Sequence, residues 1–235
     1  MKRLVIALLA LTLLLGACAS RAPASPTAAP TPTPVPKAAY VRIIQDREDT
    51  YGKGSFVESM GGYLPCGVAC VALQDLNGDG LMELLLWENT LSEDDQGNSF
   101  PNLARVEVWT YDNITGEAVN LYDGDPLVGG DPGAQYLSIV KLDGQWMLLT
   151  GEAGGAIDVA YRAMRYGKFE IVHTVRDDFD TGEPVLYVDG EPSDEEAFAA
   201  MEQSRRDLCN SYYGDEEAVR QLLNTTARTR QSLGF

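Results

Sequence analysis

Apolar and polar residues alternate with a period of two in several stretches of the chain, a pattern typical of β-strands with one buried face. Residues 105–112 show it well, because Val106, Val108 and Thr110 fall on one face and polar residues lie between them. Valine and threonine also have a high propensity for strands. The middle of the chain is therefore predicted to be mostly β-structure.

The strands are predicted to pair as antiparallel hairpins. Residues 68–73 and 81–88 are two apolar runs separated by a short polar stretch. Asp143 and Gly144 separate another two such runs, and an Asp-Gly dipeptide favours the tight turn of a two-residue hairpin. Short polar connections of this kind predict neighbouring strands that meander through a sheet.

Both ends of the domain show helical spacing instead. Residues 38–50 predict a short helix that opens the domain. Near the C-terminus, Ser193 and Glu196 have the spacing of a capping box, and Asp215 precedes a second amphipathic stretch. The predicted fold is α+β: an antiparallel meandering β-sheet with a metal-loop hairpin, a short N-terminal helix and two C-terminal helices.

The first 17 residues are predicted to be a signal peptide. Lys2 and Arg3 precede an apolar run too short to span a bilayer comfortably, and the run ends in "LGAC" at Cys18. This sequence resembles the lipobox of bacterial lipoproteins, which implies cleavage before Cys18 and attachment of a diacylglycerol to its sulfur. The alternative is an ordinary signal peptide that contains a cysteine.

Residues 18–37 are predicted to be a tether between the lipidated Cys18 and the folded domain. Pro, Ala, Thr and Ser dominate the segment, so it cannot bury enough apolar surface to offset its conformational entropy. Residues 38–235 then form a single domain, which is long enough for one sizeable core. The predicted location is a cell membrane, with the domain outside the cytoplasm.

The chain is acidic, with 18 basic and 35 acidic side chains and a formal net charge of −17. Loss of Lys2 and Arg3 with the signal peptide would leave 16 basic side chains and a net charge of −19. A domain with this charge is repelled by nucleic-acid phosphates, so no nucleic-acid partner is expected.

The polar stretch "DLNGDGLMEL" at residues 75–84 has the spacing of a calcium loop. Ca²⁺ takes six to eight oxygen ligands, and side-chain oxygens at alternate positions followed by a turn glycine are typical of its loops. An EF-hand is excluded because Leu86 stands where the bidentate Glu belongs and because both flanks predict strands. The alternative is a metal-free turn in which Asp and Asn side chains bond their own backbone.

The loop resembles the calcium-binding hairpins of FG-GAP and VCBS-type repeats, although a full propeller is excluded because the chain has only one such loop. The resemblance implies a structural Ca²⁺ ion and the following ligands: Asp75, Asn77, Asp79 and Glu83 through their side chains, and Leu81 through its carbonyl. The lipobox, the tether, this hairpin and the later segment "LYVDGEPSDEEAF" together resemble a group of Gram-positive, clostridial-type lipoproteins of unassigned function.

Three cysteines are left in the domain once Cys18 carries lipid, which suggests one disulfide and one free thiol in an exported protein. On an extended strand Cys66 and Cys70 would lie about 13 Å apart, too far to bridge. A bend at Gly67 would allow them to pair, and either of them could instead pair with Cys209. The sequence leaves the pairing open.

The sequence favours a binding or adhesion-type module over an enzyme. It has no G-x-S-x-G elbow and no H-E-x-x-H motif, and His173 is its only histidine. The alternative is a cell-envelope hydrolase or carbohydrate-processing protein that uses a pair of carboxylates. Its substrate platform would be formed by exposed tryptophans. The partner of the module is an unidentified envelope or extracellular ligand.

Overall fold

The first five strands form one antiparallel sheet in the order in which they occur in the chain. The computed structural model describes residues 36–59, 61–129, 135–153, 157–178, 185–202, 204–210 and 216–235. The strands of this first sheet are β1 (Ser55–Ser59), β2 (Gly62–Gln74), β3 (Glu83–Glu93), β4 (Ser99–Asp112) and β5 (Glu117–Gly124). The predicted hairpin of residues 68–73 with 81–88 is confirmed as β2 paired with β3.

The remaining strands form a second sheet in the order β12-β11-β10-β9-β8-β6-β7-β13. Its strands are β6 (Leu127–Gly129), β7 (Gln135–Leu142), β8 (Gln145–Ala153), β9 (Ile157–Arg165), β10 (Lys168–Asp178), β11 (Val185–Val188), β12 (Glu191–Ser193) and β13 (Arg206–Asn210). β6 runs parallel to β8, while the other pairs are antiparallel. The Asp143-Gly144 turn is confirmed, and both residues have the positive φ that this turn requires.

In the described part of the chain, three helices accompany the sheets: α1 (Lys37–Tyr51), α2 (Glu195–Glu202) and α3 (Glu216–Leu233). The predicted α+β class is confirmed, with a helix before the sheets and two helices near the C-terminus. The predicted cap of α2 was wrong by one residue. Ser193 ends β12, and Asp194 caps the helix by accepting a hydrogen bond from the Ala197 amide at 2.8 Å. Asp215 lies outside the described residues.

Apolar residues on both faces of the first sheet form two separate parts of the core. One face, with Trp87 and Val106, packs against Leu137 and Leu148 of the second sheet. The other face packs against α1 and α3. The far face of the second sheet carries its own cluster, against which Phe198 of α2 packs. The described layers are therefore helices, sheet, sheet and a short helix.

A β-bulge in β2 explains how α3 is attached. The register of β2 against β3 shifts between Val68 and Cys70, which leaves backbone groups of β2 without a strand partner. The buried Thr226 hydroxyl of α3 supplies the missing partner. It accepts from the Val71 amide at 3.1 Å and donates to the Ala69 carbonyl at 3.0 Å.

All described residues belong to one unit of the chain, residues 32–235. The predicted signal peptide, Cys18 and almost the whole tether lie outside the described residues. Among the described helices, none is long and apolar enough to cross a membrane.

Candidate metal-binding loop and buried acidic cluster

The predicted calcium loop connects β2 to β3 at one end of the first sheet. Gln74 and Glu83 are the last pair of that hairpin, so residues 75–82 form the connection between them. Glu83 lies wholly buried at the base of the loop, whereas Asp79 is exposed at its tip. The predicted carboxylates thus come from one short connection and from the strand that follows it.

Side chains of the loop accept hydrogen bonds from the loop's own backbone. The two oxygens of Asp75 accept from the amides of Gly78 and Gly80, at 2.7 and 3.0 Å. Asp79 accepts from the Leu81 amide at 2.7 Å. The Asp79 bond spans two residues, as in an Asx turn, whereas Asp75 accepts from amides three and five residues ahead. Each carboxylate oxygen has two lone pairs, so these bonds leave acceptor capacity for a cation.

Asn77 links the loop to the second sheet. Its side-chain oxygen accepts from the Asp79 amide at 2.9 Å, and its amide nitrogen donates to an Asp79 carboxylate oxygen at 2.9 Å. The same nitrogen lies 4.0 Å from the sulfur of Met164 in β9. The loop is therefore supported from one side by the second sheet.

The Glu83 carboxylate is held by two donors of its own sheet. One oxygen accepts from the Leu76 amide at 2.8 Å and the other from the Thr110 hydroxyl at 3.1 Å. Burial raises the pKa of Glu83 to about 7, the two hydrogen bonds lower it, and the nearby charges of Asp79 and Asp75 raise it further. The charges of Asp75 and Asp79 thus disfavour the ionised form of Glu83, and a nearby cation would favour it.

The residues of the loop fit a hard cation by donor type and by charge. Asp75, Asp79 and Glu83 have no ion pair with Lys or Arg anywhere in the described part of the chain. Carboxylate, amide and carbonyl oxygens are the ligands that Ca²⁺ prefers. The geometry is less complete, because no group of three or more His, Cys, Asp or Glu side chains among the described residues is arranged to hold a metal ion.

The loop also contacts the first helix. The hydroxyl of Tyr40 in α1, which is wholly buried, donates to the Met82 carbonyl at 2.8 Å. Burial raises the pKa of Tyr40, and the nearby Glu83 carboxylate raises it further. The conformation of the loop is thus tied to the docking of the helix that follows the predicted tether.

A second polar site lies between α1 and the first sheet. We call Glu88, Glu107, Arg47 and Arg105 the buried acidic cluster. Arg47 donates from Nε to both oxygens of Glu107, at 2.9 and 3.0 Å. Glu107 is wholly buried and also accepts from the Trp109 indole at 2.7 Å. Its charge is therefore compensated by α1 and by its own strand.

Arg105 extends the cluster towards solvent. One of its nitrogens lies 3.4 Å from Glu107, and the guanidinium also pairs with Asp123. Another nitrogen donates to the Tyr51 hydroxyl at 3.0 Å. Arg105 and Asp123 are both more exposed than Glu107. The charge of this arginine is therefore shared between a buried and an exposed carboxylate.

Glu88 is the unusual member of the cluster. Its side chain is 1% exposed, and neither of its carboxyl oxygens has a hydrogen-bond partner among the described residues. Burial raises the pKa of Glu88 to about 8, and the charge of Glu107 raises it while Arg47 and Arg105 lower it. The physical expectation is a carboxyl group that keeps its proton near neutral pH.

The buried acidic cluster does not have the accessibility that a carboxylate-dependent hydrolase needs. Glu88 and Glu107 are shielded from solvent, so a dissolved substrate cannot reach them. Trp87 is wholly buried in the core, so it cannot contact a dissolved substrate as the hydrolase alternative requires. Trp109 and Trp146 are half-buried, and an arginine lies over each ring. His173 is engaged with Asp189 at 2.6 Å.

A shallow groove of about 530 Å³ is lined by residues of β4 in the first sheet and of β6, β7, β8 and β9 in the second. Asp125, Glu152 and Asp158 line it, and Glu152 lies directly opposite Asp158 on the neighbouring strand. Like charges in such a pair repel each other. The groove is an acidic concavity, and no described contact indicates what would fill it.

The three cysteines of the domain occupy two different environments. Cys66 is half-buried, with its sulfur 3.1 Å from the Ser55 hydroxyl of β1. Cys70 and Cys209 are both buried in the core between the sheets. All three are in the thiol form in the structure. Gly67 has the positive φ of a bend, but β2 continues as a strand through Cys70.

Sequence reasoning missed the buried acidic cluster entirely. Its acids occupy buried positions on strands, where Glu88 follows the run "LLLW" and Glu107 lies between Val106 and Val108. A glutamate next to or within an apolar run of a strand is the sequence feature that could have indicated a buried acid. Its arginine partner Arg47 is 60 residues away from Glu107 in sequence, so no local spacing predicts the pair.

Comparison with known proteins gave no assignment. No protein-family model, no curated protein and no solved structure matched the chain.

Proposed function

We propose that this chain is a membrane-anchored extracytoplasmic lipoprotein whose folded domain is a binding module with a structural Ca²⁺ ion in the loop of residues 75–83. The observation that carries the metal is the position of Glu83. A wholly buried carboxylate lies at the base of a loop that contains Asp75 and Asp79, and no described basic side chain pairs with any of the three.

A bound cation would compensate these charges in the way that arginines compensate Glu107. Asp75, Asn77, Asp79 and Glu83 would hold the ion through their side chains and Leu81 through its carbonyl. Buried charges are expensive unless they are paired or coordinate a metal, so the ion would stabilise the hairpin and the Tyr40 contact beside it. Extracellular calcium modules bind with dissociation constants on the order of 10⁻⁴ to 10⁻³ M, which suits an extracytoplasmic location.

The N-terminal segment of the chain supports the proposal that the domain is a binding module. A lipidated Cys18 and a proline-rich tether would hold the domain away from the membrane, as suits a module that contacts other envelope or extracellular molecules. The described residues offer no solvent-accessible pair of carboxylates beside an exposed tryptophan, so the hydrolase alternative gains no supporting observation.

The metal is tested by thermal unfolding of the full chain in a mild detergent. We expect about 5 mM Ca²⁺ to raise the melting temperature by roughly 5 °C relative to EDTA, because a ligand that binds only the folded state stabilises it. Asp79→Asn is expected to abolish most of this shift. Mg²⁺ should be much less effective, since it demands a smaller, more regular shell.

Asp94→Asn is the matched control for Asp79→Asn. Asp94 forms a similar self-bonded turn between β3 and β4, where it accepts from the amides of Gln96 and Asn98 at 2.9 and 2.8 Å. The control variant should keep the full response to Ca²⁺. A melting curve that does not change between EDTA and Ca²⁺, or an equal loss of response in both variants, would show that the loop is an ordinary turn.

The anchor is tested by replacing the lipidated residue. When the full chain is produced in a bacterium that is fed an alkyne-labelled fatty acid, we expect the wild type to take up the label and Cys18→Ser to lose it. Cys66→Ser is the control and should be labelled as strongly as the wild type. Label that persists in Cys18→Ser, or is absent from the wild type, would contradict the lipoprotein assignment.

A further inference from the structure

We propose that Cys70 and Cys209 form a disulfide bond in the exported protein and that Cys66 is left as the free thiol. The bond would join β2 of the first sheet to β13 of the second. The proposal rests on the proposed export of the chain, because disulfides persist in oxidising compartments.

The positions of the two residues bring their sulfur atoms into the same part of the core. Cys70 is wholly buried and Cys209 is 1% exposed, and both belong to the apolar cluster between the sheets. The Cys70 thiol donates to the carbonyl oxygen of Leu208, the residue directly before Cys209, at 3.5 Å. Cα atoms of β2 and β13 approach within 8 Å of each other. Pairing would therefore join two strands that already pack against each other in the same core cluster.

The two pairings that involve Cys66 are disfavoured by the same geometry. Cys66 and Cys70 belong to one continuous strand, and four residues of strand span about 13 Å, whereas disulfides need Cα atoms less than about 7 Å apart. The sulfur of Cys66 lies against Ser55, its cross-strand partner on the edge strand β1. Cys209 lies in the core between the sheets, so Cys66 has no short path to it.

The bond would form during folding, before the two sheets close over the thiols. A disulfide of an exported thiol oxidoreductase, or oxidised glutathione in a test tube, accepts the two electrons. The thiolate of one cysteine first forms a mixed disulfide with the oxidant and expels one of its thiols. The second cysteine then attacks that mixed disulfide and expels the other thiol. Two protein thiols thus become one disulfide, and the oxidant's disulfide becomes two thiols.

A bond between these residues would close a long loop. The closed loop would run from Cys70 in β2 to Cys209 in β13 and would contain β3 to β12. The stabilisation from closing a loop in the unfolded chain increases with the length of the loop. The bond would also link the two sheets, which are otherwise held together at this point by apolar packing. Its expected effect is a rise in melting temperature of roughly 10 °C over the reduced chain.

The test is oxidative refolding of the full chain in mild detergent. Chain that has been denatured and reduced is diluted into a mixture of oxidised and reduced glutathione, denatured again and alkylated with N-ethylmaleimide. We expect Cys66 to carry the label and Cys70 and Cys209 to be protected. In a Cys66→Ala background, tryptic digestion should yield one disulfide-linked pair of peptides that contain Cys70 and Cys209.

The variants decide between the pairings. Cys66→Ala should retain both the protected pair and the higher melting temperature, whereas Cys70→Ala and Cys209→Ala should each lose both. Alkylation of Cys70 and Cys209 after oxidative refolding would overturn the proposal, and so would a linkage through Cys66. A bond that forms in the test tube while the chain isolated from cells carries free thiols would support the pairing and overturn the proposed export instead.

Discussion

Arg47→Met is expected to lower the free energy of unfolding by about 3 kcal/mol, because it removes the main compensation of a buried charge. Arg47 donates to both oxygens of Glu107, which is wholly buried, and its guanidinium also lies 5.8 Å from the centre of the Trp109 ring. Methionine keeps much of the apolar volume of the arginine stem, so the loss reports the charge rather than a cavity. Urea unfolding at neutral pH, followed by circular dichroism, measures it.

Two further variants separate the charge from other effects. Arg42→Met makes the same substitution at an exposed position of α1 and should change the free energy of unfolding by less than about 0.5 kcal/mol. Glu107→Gln combined with Arg47→Met should recover much of the loss, because no charge is then left buried. Equal effects of Arg47→Met and Arg42→Met would mean that Arg105 and Trp109 alone compensate Glu107.

The parts of the fold that depend on local chemistry could be predicted from the sequence. The turn at Asp143 and Gly144 needs two consecutive residues with positive φ, and Asp-Gly is well suited to that. Period-two alternation identified β4, and helical spacing identified α1 to within one residue of each end. These features are determined by neighbouring residues, so a single sequence contains the information.

The division into two sheets could not be predicted in the same way. It depends on which distant strands pair, as when β13 is added beside β7 and β6 runs parallel to β8. Leu208 illustrates the limit. Its spacing from Phe198 and Met201 predicts that it continues the apolar stripe of a helix, but it belongs to β13, where tertiary pairing outweighs local propensity.

The candidate site shows the same distinction. The loop of residues 75–83 was found because its oxygen donors follow one another at fixed short spacings, and the structure places them in one hairpin connection. Whether they bind Ca²⁺ stays a prediction. The buried acidic cluster was missed because its members come from α1, β3 and β4, which meet only after folding.

Glu88→Gln is expected to make the protein more stable than the wild type at pH 8 and above, with a much smaller difference near pH 5. Burial beside Glu107 raises the pKa of Glu88 to about 8 in the folded chain, from about 4.5 when it is unfolded. Below pH 4.5 Glu88 is protonated in both the folded and the unfolded chain, so its ionisation costs the folded state nothing and stability is highest there. Between pH 4.5 and 8 only the folded state binds it, and stability falls as pH rises.

The size of the effect follows from the shift. Each unit of pKa difference corresponds to about 1.4 kcal/mol, so the shift from about 4.5 to about 8 should cost the wild type on the order of 5 kcal/mol relative to Glu88→Gln across this window. Glutamine cannot ionise, so the free energy of unfolding of Glu88→Gln should not show this fall with rising pH.

The measurement is urea unfolding of both chains from pH 5 to pH 9 in EDTA, so that no cation occupies the loop. Glu83, whose pKa is also raised, contributes equally to both curves, and the difference between the curves therefore isolates Glu88. Glu93→Gln, at an exposed position at the end of the same strand, shows how much a lost surface charge matters by itself. If the difference between wild type and Glu88→Gln stays constant over the whole range, Glu88 is ionised in the folded chain and must have a cationic partner there.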